Sequence, residues 1–67
     1  MMKCRVYTTR RDMGVTRYVL REEMSVKTDT EIARYCMKMA SKYGRGGGMV
    51  EVEVLDESGN IVADHIM

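Results

Sequence analysis

Val50, Val52 and Val54 alternate with Glu51 and Glu53, and this period of two predicts a half-buried strand over about 49–56. Lys3 to Thr9 alternates in the same way, with Cys4, Val6 and Thr8 on one face and Arg5 and Tyr7 on the other, giving a strand over about 3–9. Val15 to Glu22 is rich in β-branched and aromatic residues and predicts a strand over about 15–22. Two sets compete for its buried face, Val15 with Val19 and Tyr18 with Leu20. Thr9-Arg10-Arg11-Asp12-Met13-Gly14 is polar and closes in glycine, which suits a hairpin connection. Asp56-Glu57-Ser58-Gly59-Asn60 is a second turn cluster, and Ile61 to Ile66 completes another hairpin with a strand over about 61–66.

The period changes in the middle of the chain. Ile32, Tyr35, Cys36, Met39, Ala40 and Tyr43 fall at helical spacing and form one apolar stripe, predicting a helix over about 29–43. Thr28-Asp29-Thr30-Glu31 is a capping box in which the Thr28 hydroxyl accepts from the backbone of Glu31 while the Glu31 carboxylate reaches back. Gly44 suits the left-handed residue after a helix, and Arg45-Gly46-Gly47-Gly48 reads as a flexible linker. The order is β-β-α-β-β. One helix packed on one face of a four-stranded, mainly antiparallel sheet is the α+β solution this order favours, with residues 1–67 as a single domain.

A helix of that length covers one face only. Tyr7, Met49, Leu55 and some of Val15, Val19 or Tyr18 are left for the other, and a partly apolar second face calls for a partner. A chain of 67 residues also buries only about 60% of its unfolded surface, so its core benefits from a disulfide, a metal or a second subunit. Cys4 and Cys36 could form one disulfide at most, and with His65 they fall short of a four-ligand zinc site, so no metal or cofactor is expected. A homodimer is the expectation that remains. Eight methionines with no Phe or Trp give an adaptable apolar inventory. Met39 belongs to the core, while Met13 and Met24 are better placed for an interface.

Charge changes the picture most. All eleven Lys and Arg lie in the first 45 positions, so residues 1–48 sum to +6 against five acids, whereas residues 49–67 carry five acids and no base. Arg34, Lys38 and Lys42 follow one another at four-residue steps as a rail along the helix, Arg45 extends it, and Arg10 and Arg11 mark the first hairpin tip. Like charges at that spacing do not help a helix, but bases near its negative C-terminal end sit well with the macrodipole, so a solvated helix face is one reading of the rail. Part of the basic charge is expected to be answered within the sheet, by Arg5 or Arg17 meeting Glu51 or Glu53, and part by Glu31 beside Arg34. The remainder points to an anionic partner, an acidic protein surface or nucleic acid. Conversely, the acidic last hairpin could meet a basic partner.

Catalysis finds no support. Cys36 lies within the apolar stripe and lacks the electropositive, exposed setting of a reactive thiolate. Asp64 and His65, as strand neighbours, point to opposite faces and form no dyad. Gly44 to Gly48 lacks the GK[ST] ending and the following helix of a phosphate-binding loop. No apolar run has signal-peptide or membrane-span length, so no membrane association is expected, and two thiols without a disulfide framework suggest a cytoplasmic protein.

In its order of elements and its length, the whole chain resembles small phage-encoded accessory and inhibitor proteins, some anti-CRISPR proteins among them, though it shares no signature residue with them. That resemblance implies a non-enzymatic module that occupies a surface on a host protein complex. The expected function is therefore macromolecular binding through Arg34, Lys38, Lys42, Arg45, Arg10 and Arg11, with nucleic acid as the alternative partner.

Overall fold

The computed structural model describes residues 1–46 and 48–67. It contains β1 (Met2–Asp12), β2 (Val15–Val26), α1 (Asp29–Tyr43), a 3-10 turn over Gly44–Gly46, β3 (Val50–Leu55) and β4 (Ile61–Ile66). The four strands form one antiparallel sheet in the order β2-β1-β3-β4, and α1 packs on one face of it above β1 and β3. The α+β architecture and the β-β-α-β-β order match those expected from the periodicities.

The core is built by the two alternating strands. Cys4 and Val6 of β1, Val50, Val52 and Val54 of β3 and Val26 of β2 turn to the helix and are buried with Tyr35 and Met39. Ile32, Cys36 and Tyr43 pack against this cluster, so the helical stripe lies where its spacing put it. The helix starts at the expected cap: the Thr28 hydroxyl accepts from the Glu31 backbone N–H at 3.2 Å, while the Glu31 carboxylate reaches one residue past the cap and accepts from Lys27 N–H at 3.3 Å. It ends differently. Gly44 is right-handed, with φ −79° and ψ −7°, and the chain tightens into the 3-10 turn. The linker reading of Arg45–Gly48 gives way to that turn for Arg45 and Gly46, while Gly47 lies outside the described residues.

The first two strands are longer than the polar stretch at 9–14 suggested. β3 pairs with β1 only from Lys3 to Thr8, whereas β1 and β2 remain paired out to Asp12 and Val15. Residues 9–18 therefore project past the sheet as a two-stranded arm, in a molecule 38 Å long and 15 Å deep. The arm closes through Met13 and Gly14, both at positive φ (50° and 81°), the pattern of the hairpin turn whose twist matches that of its strands.

The competition between the faces of β2 has a structural answer. A bulge opposite Val6 and Tyr7 inserts Arg21 and resets the alternation. Val19, opposite the buried Thr8, lies on the helix side before the bulge, and Glu22, Met24 and Val26 lie there after it, opposite Val6, Cys4 and Met2. Tyr18 and Leu20 share the open face with Thr9 and Tyr7. Neither apolar set becomes core, because Val15 and Val19 lie toward the arm, where β3 no longer pairs with β1, and Tyr18 and Leu20 face away from α1. Both cysteines are free, with Cys4 buried and Cys36 half-buried.

Candidate functional site

The end of α1, the turn after it and the base of the arm meet at one end of the sheet. Val50 pairs with Thr8, a Cβ at Gly48 would lie 3.8 Å from the Thr9 hydroxyl, and the Tyr18 hydroxyl lies 4.0 Å from the Met49 sulfur. On the helix side of this junction, Lys42 Nζ approaches the Glu22 carboxylate at 2.7 Å and the Tyr43 hydroxyl donates to the same oxygen at 2.6 Å. Lys42 also sits 5.3 Å above the centre of the Tyr43 ring. These contacts clamp the helix terminus to β2. Hydrogen bonds from Lys42 and then Tyr43 hold the Glu22 carboxyl below its ordinary range, and Glu22 in turn raises Lys42 and Tyr43.

That pairing changes the account of the rail. Glu31 was its only expected acidic neighbour, yet Lys42 is answered by Glu22 from a strand far away in sequence. Arg34, Lys38 and Arg45 are in none of the ion pairs among the described residues. Lys38, Ser41, Lys42 and Arg45 line an open depression of 500 Å³, and Arg34 and Lys38 line a smaller one of 220 Å³ together with Glu31, Met24 and Tyr35.

The arm adds to this surface unevenly. Arg10 lies directly opposite Arg17. Two positions beyond Thr8 and Val19, this pair belongs to the helix side of the ribbon. Arg21, whose Nε donates to the Thr8 hydroxyl at 2.8 Å, joins it on that side. Arg11, opposite Thr16, belongs to the other side. Thus Arg10, Arg34, Lys38, Lys42 and Arg45 share the helix side of the molecule, Arg11 does not, and Arg17 and Arg21 are members that the sequence reading missed. The register of Arg17 against Arg10, set by the turn at Met13-Gly14, was the signal available.

Like charges directly opposite one another weaken a strand pair. No ion pair among the described residues involves Arg10, Arg11 or Arg17, and the acid on that side of the arm, Asp12, stands two positions beyond Arg10 and opposite Val15. The expectation that Arg17 would meet Glu51 or Glu53 fails, because β1 stands between β2 and β3. Arg5 does stand opposite Glu53, and its nearest ionic partner is Glu23 at 3.6 Å, which also meets Lys3 at 3.4 Å.

No family model matches this chain, no curated protein matches it, and no solved structure matches it. Its function is therefore argued from its surfaces.

The open sheet face is mixed, with Glu23, Glu51, Glu53 and Asp64 beside Lys3, Arg5 and Arg11. Glu53 stands opposite Asp64, and burial and then the charge of Asp64 push the Glu51 carboxyl above its ordinary value. The acidic last hairpin thus shows its charge on the face away from α1, and the basic surface lies on the helix side. Among the described residues no three His, Cys, Asp or Glu side chains are grouped as metal ligands would be, and no helix is long and apolar enough to cross a membrane. Burial raises the thiols of Cys4 and Cys36, and in Cys4 the neighbouring Cys36 adds to it, the reverse of what a thiolate nucleophile needs.

Proposed function

We propose that this protein is a non-enzymatic binding module that grips a polyanionic macromolecule, nucleic acid, between its projecting arm and the basic rail of α1. The observation that carries this reading is the opposed Arg10–Arg17 pair. Two guanidinium groups face each other on an exposed ribbon, on the side shared by Arg21, Lys38 and Arg45, with no acid paired to them. A two-stranded ribbon fits a nucleic-acid groove, and phosphate neutralisation by such bases supplies sequence-independent affinity.

Fluorescence anisotropy with duplex DNA and RNA at low and moderate salt tests it. Binding should weaken with salt, and replacing both Arg10 and Arg17 by Thr should lower the magnitude of the logarithmic salt slope by about 2, one unit per lost phosphate contact. No salt-sensitive binding at low ionic strength would overturn the reading.

The apolar side chains on the arm favour a second reading, an acidic surface on a host protein complex of the kind that phage-type inhibitors occupy. Met13 is 97% exposed, and Val15 and Tyr18 are more than half exposed beside the arginines. Arg34→Glu with Lys38→Glu should then abolish capture of that complex while the protein stays folded. Full retention would move the contact off the helix.

We also propose that the protein pairs with a second copy through β4. Val50 and Met67 exchange both backbone hydrogen bonds, at 3.4 and 2.9 Å. By alternation His65 and Ala63 also turn their backbone groups to β3, leaving those of Asp64 and Ile66 on the free edge. Ile61, Val62 and Ile66 are exposed along it, with no Lys or Pro to discourage pairing. The β2 edge, by contrast, carries Arg17, Arg21, Glu22, Glu23 and a bulge. Sedimentation at micromolar concentration should show a dimer that Val62→Lys dissociates. A 7.7 kDa species throughout would defeat the claim.

A further inference from the structure

The arm tip is built in a way its own stability does not explain. The first residue of its turn is Met13, at φ +50°, a left-handed conformation that glycine, asparagine and aspartate adopt at far lower cost than methionine. The side chain gains nothing in return, because it is 97% exposed and touches no core residue. A strained, fully exposed apolar residue at the outermost point of a basic ribbon is a local conflict, and such conflicts collect at functional positions. The residues around it are Asp12 and Val15, which close the ribbon, then Arg10 and Arg17 on the same side as Asp12 and Arg11 on the other, three bases to one acid.

We propose that Met13 is a wedge. The arm tip enters a minor groove of duplex DNA, and the Met13 thioether slides between two base pairs and kinks the duplex. This rests on the nucleic-acid reading above and specifies the form of the bound partner. Proteins that bend DNA from the minor groove do so by inserting an apolar side chain at a base step, while arginines hold the phosphate walls. Met13 supplies the first element. Its unbranched chain is slender enough to enter a partly opened step and polarizable enough to stack against bases. Arg10 and Arg17 on one face of the ribbon and Arg11 on the other supply the second, so that a guanidinium group stands on each side of strands about 5 Å apart. The turn itself is narrow, ending in Gly14 with open space where a Cβ would be. Flexible pyrimidine–purine steps are the sites such a wedge opens most readily.

The test uses a duplex of about 25 base pairs with a central TA step and a dye at each end, within the length over which a bend changes end-to-end distance measurably. Wild-type protein should bind in a salt-sensitive manner and raise energy transfer between the dyes. Met13→Asn keeps the positive-φ turn and the arginines, so it should bind within about threefold of wild type, as phosphate contacts dominate affinity, while leaving energy transfer at the level of free DNA. Met13→Leu keeps an apolar wedge and should bend the duplex as wild type does. Binding by wild type without a rise in energy transfer overturns the wedge and leaves the nucleic-acid reading standing. Bending by Met13→Asn equal to wild type also overturns it. Absence of salt-sensitive binding by wild type overturns both.

Discussion

At the scale of single residues, the protein tolerates several local costs. Tyr35 is buried at 4% exposure with its hydroxyl unpartnered, and burial, then Glu22, raises that hydroxyl to about 12, so it stays neutral at any physiological pH. Tyr35→Phe removes the unmet polar atom and should stabilise the fold by about 1 kcal/mol, seen as a higher urea midpoint. Met39, fully buried at the middle of the helical stripe, lies at the other extreme. Met39→Ala should cost about 2–5 kcal/mol by the same measurement, the range for emptying a core site. Met13→Asn relieves the left-handed strain and should gain about 1 kcal/mol, so the variant that loses the wedge is also the more stable one. The sequence revealed Met39 and the stripe because burial follows periodicity. It did not reveal Tyr35's missing partner or the Glu22–Lys42 pair, since both depend on which strand lies beside the helix.

At the scale of elements, the capping box and the period-two strands were legible because each rests on local chemistry. The arm was not. A ribbon with no buried face needs no apolar alternation, so residues 9–14 read as loop although they continue the ladder to Asp12 and Val15. For the candidate site this meant that Arg10 and Arg11 were taken together when the pleat separates them, and that Arg17 and Arg21 were overlooked. The arm rests on one neighbour only, and amides of residues 10–18 should exchange with deuterium far faster than those of residues 4–8, which lie between β2 and β3. Equal protection of the two segments would mean that something else covers the arm. The clamp at the helix terminus has its own signature. The folded-state pKa of Glu22 lies below its unfolded value. Its stabilisation is therefore complete above the ordinary carboxylate range and fades as pH falls through the folded value. Wild type and Glu22→Gln should differ in urea midpoint at neutral pH and converge as pH falls through the folded-state value of Glu22.

At the scale of the whole molecule, the charge asymmetry written into the two ends of the chain becomes a partial asymmetry of faces, with Arg10, Arg17 and the rail on the helix side and the acids of the last hairpin on the open side, beside Lys3 and Arg5. The order β2-β1-β3-β4 that produces it also has a consequence for how the molecule is made. Its central strand is the first to be synthesised. On emerging from the ribosome, β1 can pair with β2 first, but the other side of β1 must wait until Val50 to Leu55 have followed it out. For that interval Cys4, Val6 and Thr8 belong to a temporary edge, and the nascent chain offers a neighbouring copy the pairing it later gives to β3. The ion pairs of Lys3 and Arg5 with Glu23 bring charge to that edge from the outset, a gatekeeping role that ends when the sheet closes.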